Sequence, residues 1–157
     1  MYVSDKKAFT LLELTFVIVI IGILSAVAIP RFAATRDDAV ITKAITTVAS
    51  VRSALATERQ KRILRGSFTN ITDLADANGA NKMIFDEFED NSTVLEYPLR
   101  ACVDGNARGC WISGADNTYT FRMPDSTNNI PFTLANNRIT CDPDNATTGE
   151  DCKDLTE

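Results

Sequence analysis

KKAFTLLELTFVIVIIGILSAVAIP, from Lys6 to Pro30, decides how the rest of the chain is read. From Phe9 to Ile29 it holds 21 residues and a single charge, Glu13. About 20 apolar residues in a helix cross a hydrocarbon core of ~30 Å, so the run has the length of a membrane-spanning helix. Lys6 and Lys7 stand directly before it. By the positive-inside rule they hold that end in the cytoplasm and leave the bulk of the chain outside. Glu13 is the anomaly, because a carboxylate within a bilayer costs roughly 2.5–3.5 kcal/mol even on the most lenient scales.

The helical pattern continues past the apolar run. Ile41, Ala44, Ile45, Val48, Val51 and Leu55 recur at three- and four-residue steps, and only Arg52 breaks the stripe. Arg59, Lys61, Arg62 and Arg65 followed by Gly66 signal a helix C-terminus. One helix from Phe9 to Arg65 would extend ~85 Å at 1.5 Å per residue. Pro30 should kink it by removing a backbone donor, and Gly22 is a second weak point.

Beyond residue 66 the chain reads as a small head. Asn70 to Asp90 suggests one or two short helices, with Thr72 as a cap and Asn78-Gly79 as a break. TYTFRM (118–123), IPFTLA (130–135) and RITC (138–141) read as strands, the last pair joined at Asn136-Asn137. The tail from Cys141 has loop composition. The expected fold is α+β: a long N-terminal helix, apolar first and amphipathic later, packed on a small antiparallel meander with one buried face. The expected divisions are a polar leader (1–8), an apolar helix (9–30), its amphipathic continuation (31–66) and an extracytoplasmic head (67–157).

Charge separates along the same lines. Residues 31–66 carry eight Lys/Arg against three Asp/Glu, a balance of +5; residues 67–157 carry six against sixteen, a balance of −10. So acidic a head is unsuited to gripping nucleic acid, which rests on neutralising phosphates. The basic stretch could touch anionic lipid or phosphate, or complement the acidic heads of neighbouring copies. Histidine is absent, which removes Ser-His and Cys-His couples and argues against an enzyme. No cofactor is expected.

Cys102, Cys110, Cys141 and Cys152 all lie in the last third. An even count beyond a membrane helix favours disulfides, and four cysteines allow three connectivities. Cys102–Cys110 with Cys141–Cys152 is the favoured one because both close short loops; the sequence leaves the choice open. Zinc fits poorly, since neither C-x-x-C spacing nor a histidine is present. Asn70, Asn91 and Asn145 stand in glycosylation sequons, and only Asn91 has an acidic residue, Glu89, two positions before it.

Lys7-Ala8-Phe9-Thr10-Leu11-Leu12-Glu13-Leu14 resembles the processing site of type IV pilins and type II secretion pseudopilins, and the continuation to Pro30 resembles their shared helix. The resemblance covers residues 6–32. It implies cleavage by a membrane prepilin peptidase between Ala8 and Phe9 and methylation of the new Phe9 amine. The family usually has glycine before the cut; Ala8, also small, stands here. Glu13 would then neutralise the Phe9 amine of a neighbouring subunit, turning an unsatisfied charge into a docking signal. The implied partners are further copies of the chain, other pilin-like subunits, the peptidase and an inner-membrane assembly platform. The implied path runs from the inner membrane to a periplasmic or extracellular filament. Some major pseudopilins also hold calcium in a C-terminal loop, for which Asp142, Asp144, Asp151 and Asp154 are the candidates.

Two other readings compete. Ala26-Val27-Ala28 could be the cleavage site of a secretory signal peptide, releasing a protein that starts near Ile29. Alternatively, the run is an uncleaved anchor for an extracytoplasmic binding domain that never polymerises. Neither accounts for Glu13.

Overall fold

A computed structural model describes residues 9–74, 82–114 and 117–156, apart from the side chains of residues 30–34. Helix α1 runs Leu11–Leu64, 54 residues, passing through both Gly22 and Pro30. Its start is a capping box. The Glu13 N–H donates to Thr10 Oγ1 at 3.2 Å, while the Thr10 N–H donates to Glu13 Oε2 at 3.0 Å, so two end donors are satisfied reciprocally. Its end is a Schellman motif: Ser67 N–H donates to the Arg62 carbonyl at 2.8 Å and Gly66 N–H to that of Ile63 at 2.9 Å. Gly66 takes φ 80°, a left-handed conformation that glycine adopts without strain.

The chain divides into two compact units, residues 1–36 and 37–157, so the second half of α1 falls with the head. In the first unit the large apolar side chains from Leu11 to Ile29 are exposed. In the second, a four-stranded antiparallel sheet has the order β3-β4-β5-β6. Its strands are β3 (Cys110–Ser113), β4 (Thr118–Arg122), β5 (Asn129–Ala135) and β6 (Arg138–Thr140). A short pair, β1 (Met83–Ile84) and β2 (Leu99–Arg100), forms a separate two-stranded sheet.

Alternation puts one sheet face inward. Tyr119 and Phe121 of β4, and Ile130, Phe132 and Leu134 of β5, are buried between exposed or half-buried neighbours. They share a core with Ala44, Val48, Val51 and Leu55, the predicted stripe of α1. Trp111 of β3 lies in the middle, its ring 5.1 Å from Phe121, 5.2 Å from Phe132 and 5.3 Å from Phe85. The β5–β6 turn is Asn136-Asn137, at φ 53° and 62°, a pair of left-handed residues suited to a two-residue hairpin.

Two expectations need correction. Residues 70–74 and 82–90 form no helix, and the expected break at Asn78-Gly79 lies outside the described residues. Residues 83–84 enter a strand and Glu87 bridges to Thr93. The acidic tail is not all loop, because α2 spans Gly149–Thr156. Eight residues make a marginal helix in water, so packing must hold it. Cys152 and Leu155 are buried on one face, and the Asn145 side-chain carbonyl accepts the N–H groups of Thr147 and Thr148 just before it. Gly149 is buried, and a Cβ there would stand 2.5 Å from the Pro143 carbonyl oxygen.

Arg52, the break in the stripe, has a structural use. Its Nε donates to the Ile139 carbonyl at 3.4 Å and its Nη1 to the Thr156 carbonyl at 3.3 Å. One guanidinium thus joins α1 to β6 and to the C-terminal end of α2, where a cation suits the helix dipole. The cysteines pair as Cys102–Cys110 and Cys141–Cys152, leaving none free.

Candidate functional site

Glu13 lies in the first turn of α1, exposed, in a run whose large apolar side chains are exposed too. Leu11–Ile29 is long and apolar enough to cross a membrane by length and composition, ~28 Å of helix at 1.5 Å per residue. Within the turn, Oε2 of Glu13 accepts both the Thr10 N–H and, at 2.9 Å, the Thr10 hydroxyl. Thr10 is a member of the site that sequence reasoning missed, although Thr-x-x-Glu is a legible capping signature. These bonds orient the carboxylate and stitch the helix start. They do not remove its negative charge, which in an apolar medium still calls for a cation. Four residues earlier stands Phe9, also exposed. Ala8, the other half of the expected processing site, lies outside the described residues.

Gly22 has open space where a side chain would be, with nothing within 4 Å of the Cβ position. Pro30 lies on the helical path, and its side chain is outside the description. The four carboxylates considered for calcium are not gathered. Asp142 accepts the Asp144 N–H at 3.0 Å, Asp151 accepts from Asn128 Nδ2 at 2.7 Å, and Asp154 faces solvent on α2. Among the described residues no three such groups come together as a metal site.

A second polar cluster, unseen in the sequence, closes the far end of α1. Glu58 is buried and accepts from Arg62 Nε at 3.2 Å, while Arg62 Nη2 reaches Glu89 at 2.7 Å. Glu89 also accepts the Thr72 N–H, the Thr72 hydroxyl at 2.6 Å and the Asp73 N–H at 2.9 Å. The one local signal was the Glu58/Arg62 spacing of four; the link to Glu89 spans 27 residues. Partial burial pushes the Glu89 carboxyl up. Bonds from the Thr72 hydroxyl, Arg62, and the Thr72 and Asp73 N–H groups outweigh it and bring the value from 4.5 to about 2. The acidic residue before the Asn91 sequon is therefore already engaged.

A depressed carboxyl stabilises the fold at pH above its unfolded value and loses that contribution as pH falls through the folded one. The head should lose stability between about pH 4.5 and about pH 2. Glu89→Gln should flatten that part of the melting-temperature profile and cost ~1–3 kcal/mol at neutral pH. Thermal melts of the detergent-solubilised chain across the window check this; parallel profiles for the two proteins would refute it.

Nearby, Tyr119 donates its hydroxyl to Asp73 at 2.8 Å and accepts the Leu74 N–H at 2.8 Å. Burial first, then Asp73, raises its hydroxyl far above the ordinary range, so it acts as a fixed neutral bridge.

Comparison with known proteins bears on the N-terminal site first. Residues 3–29 match the prokaryotic N-terminal methylation motif. A stretch of 50 residues is 56% identical to the type IV narrow pilus major component PilA5 of Thermus thermophilus, covering 32% of this chain and 43% of that protein. Two fimbrial proteins of Pseudomonas aeruginosa are each 32% identical over 70% of this chain and 75% of their own length. No solved structure matches significantly.

Proposed function

This chain belongs to the type IV pilin family, and from that premise we propose that it is the structural subunit of a filament, either a type IV pilus or a type II secretion pseudopilus. The observation that carries the proposal is Glu13. A lone carboxylate, oriented by Thr10, sits in the first turn of a long, exposed apolar helical run.

In this reading the chain is inserted in the inner membrane with Lys6 and Lys7 on the cytoplasmic side. Prepilin peptidase cuts between Ala8 and Phe9 and methylates the Phe9 amine. The new positive terminus lies one turn before Glu13, and Glu13 pairs with the amine of a copy already in the filament. Each incoming helix thereby neutralises a charge that lipid solvates poorly. The apolar helices form the filament interior, an assembly platform drives the addition, and the acidic heads remain outside. Gly22 and Pro30 are the places where α1 would yield during packing.

Mass spectrometry of the native protein should find methylated Phe9 at its N-terminus. An intact Met1 would refute processing, and a start near Ile29 would make the chain a secreted protein instead. The other standing reading, an anchored binding domain, requires an unprocessed N-terminus and the absence of filaments.

A further inference from the structure

We propose that the cleft between α1 and the free edge of β6 binds a small carboxylate with an apolar body, an inference independent of the filament reading above. The cleft has a volume of about 440 Å³ and is lined by Arg52, Leu55 and Ala56 of α1 and by residues 137–140. That volume lies within the range of small-molecule sites, ~300–1,000 Å³.

β6 is the last strand of its sheet, so one of its edges has no neighbouring strand. Ala135 and Arg138 close the Asn136-Asn137 turn, and the next pair, Leu134 and Ile139, therefore exchange no ladder bonds. Their backbone groups point away from each other. The Leu134 N–H goes to the Asn117 carbonyl at 3.0 Å, on the β4 side, and the Ile139 carbonyl accepts Arg52 Nε on the free side. The Ile139 N–H points to that free side as well, and among the described residues nothing accepts it. Ile139 is only 1% exposed. A buried N–H without an acceptor is costly, and buried backbone donors are nearly always paired.

The surrounding groups select what could pair with it. Arg52 uses Nε and Nη1 on the Ile139 and Thr156 carbonyls, which orient the guanidinium and leave Nη2 unclaimed among the described residues. Arg138 is exposed and forms no ion pair among them. Asn137 is already committed, since its Nδ2 donates to Asn70 and its Oδ1 accepts the Ile71 N–H. The lining holds no Asp or Glu, although the head carries a balance of −10.

Apart from the Thr140 hydroxyl, the free side-chain and edge groups are thus donors, and two of them are guanidiniums. They call for an anion. An open strand edge is built to receive the planar carbonyl oxygen of a neighbouring strand, and a carboxylate oxygen is its charged equivalent. Guanidinium forks match the same planar group. Leu55 and Ala56 add an apolar wall, which suits a hydrocarbon body on the carboxylate.

The test uses the full-length, isotope-labelled chain in a non-ionic detergent, titrated with phenylbutyrate. Micelles take up apolar acids, so binding is read at the site, by NMR of the Ile139 amide. That signal should shift saturably. Phenylbutyramide, acetate and inorganic phosphate, which lack the charge, the body or the planar group, should bind at least about tenfold more weakly. R138Q and A56L change exposed positions, so the fold should persist, and each should weaken phenylbutyrate binding by about tenfold. An Ile139 amide that does not respond would overturn the proposal. So would equal binding of the amide or of phosphate, or wild-type affinity in both variants.

Discussion

Glu13→Ala is expected to abolish filaments while leaving the chain inserted in the membrane and Phe9 processed. The change removes two things at once, the negative charge and the acceptor that holds the Thr10 N–H. Glu13→Gln separates them, because glutamine can also complete a capping box but carries no charge. If pairing with a neighbour's amine drives addition, both variants lose filaments. Sheared-filament yield, read against the membrane-bound pool, measures the effect. Normal filaments from Glu13→Gln and none from Glu13→Ala would reassign the residue to helix capping alone.

Phe132→Ala should cost ~3–5 kcal/mol, the range for emptying a fully buried aromatic site. Phe132 has no exposed surface, lies opposite Tyr119 in the β4–β5 ladder and contacts the Trp111 ring. Domains of this size have only about 5–15 kcal/mol of total stability, so the head should become marginal or unfold. Denaturant titration of the detergent-solubilised chain, followed by Trp111 fluorescence, reads this directly. Phe68→Ala is the control, an exposed site expected to change stability by less than about 0.5 kcal/mol. An unchanged midpoint for Phe132→Ala would mean that the sheet does not pack on α1 as described.

Much of the fold was legible because it follows local rules. The α1 stripe from Ala44 to Leu55, the glycine that ends the helix, the alternation of β4 and β5 and the Asn136-Asn137 turn are short-range signals. What escaped depends on partners far along the chain. β1 and β2 are two residues each and exist by pairing with one another. Phe85, read as part of a helix, takes φ 59°, a conformation costly for an aromatic residue and imposed here by a core that buries its ring. α2 was hidden by its acidic composition, since only Cys152 and Leu155 carry its apolar period. At the candidate site, Glu13 announced itself by its setting. The Glu58–Arg62–Glu89 cluster did not, because charged residues near a helix end ordinarily face solvent.

A filament is also a load-bearing object, and the pattern of covalent closure determines where load falls. Cys102–Cys110 and Cys141–Cys152 both close loops within the head, and neither reaches α1. In the proposed filament, tension carried along the helices would pass to each head through the Ala44–Leu55 seam as well as the backbone after Gly66, with the Arg52 and Arg62 attachments beside the seam. Under force the sheet would be expected to peel from the helix while the disulfide-closed loops stay shut. Extension beyond the subunit spacing would thus be reversible, because the parts that separate are held by packing and hydrogen bonds that can re-form.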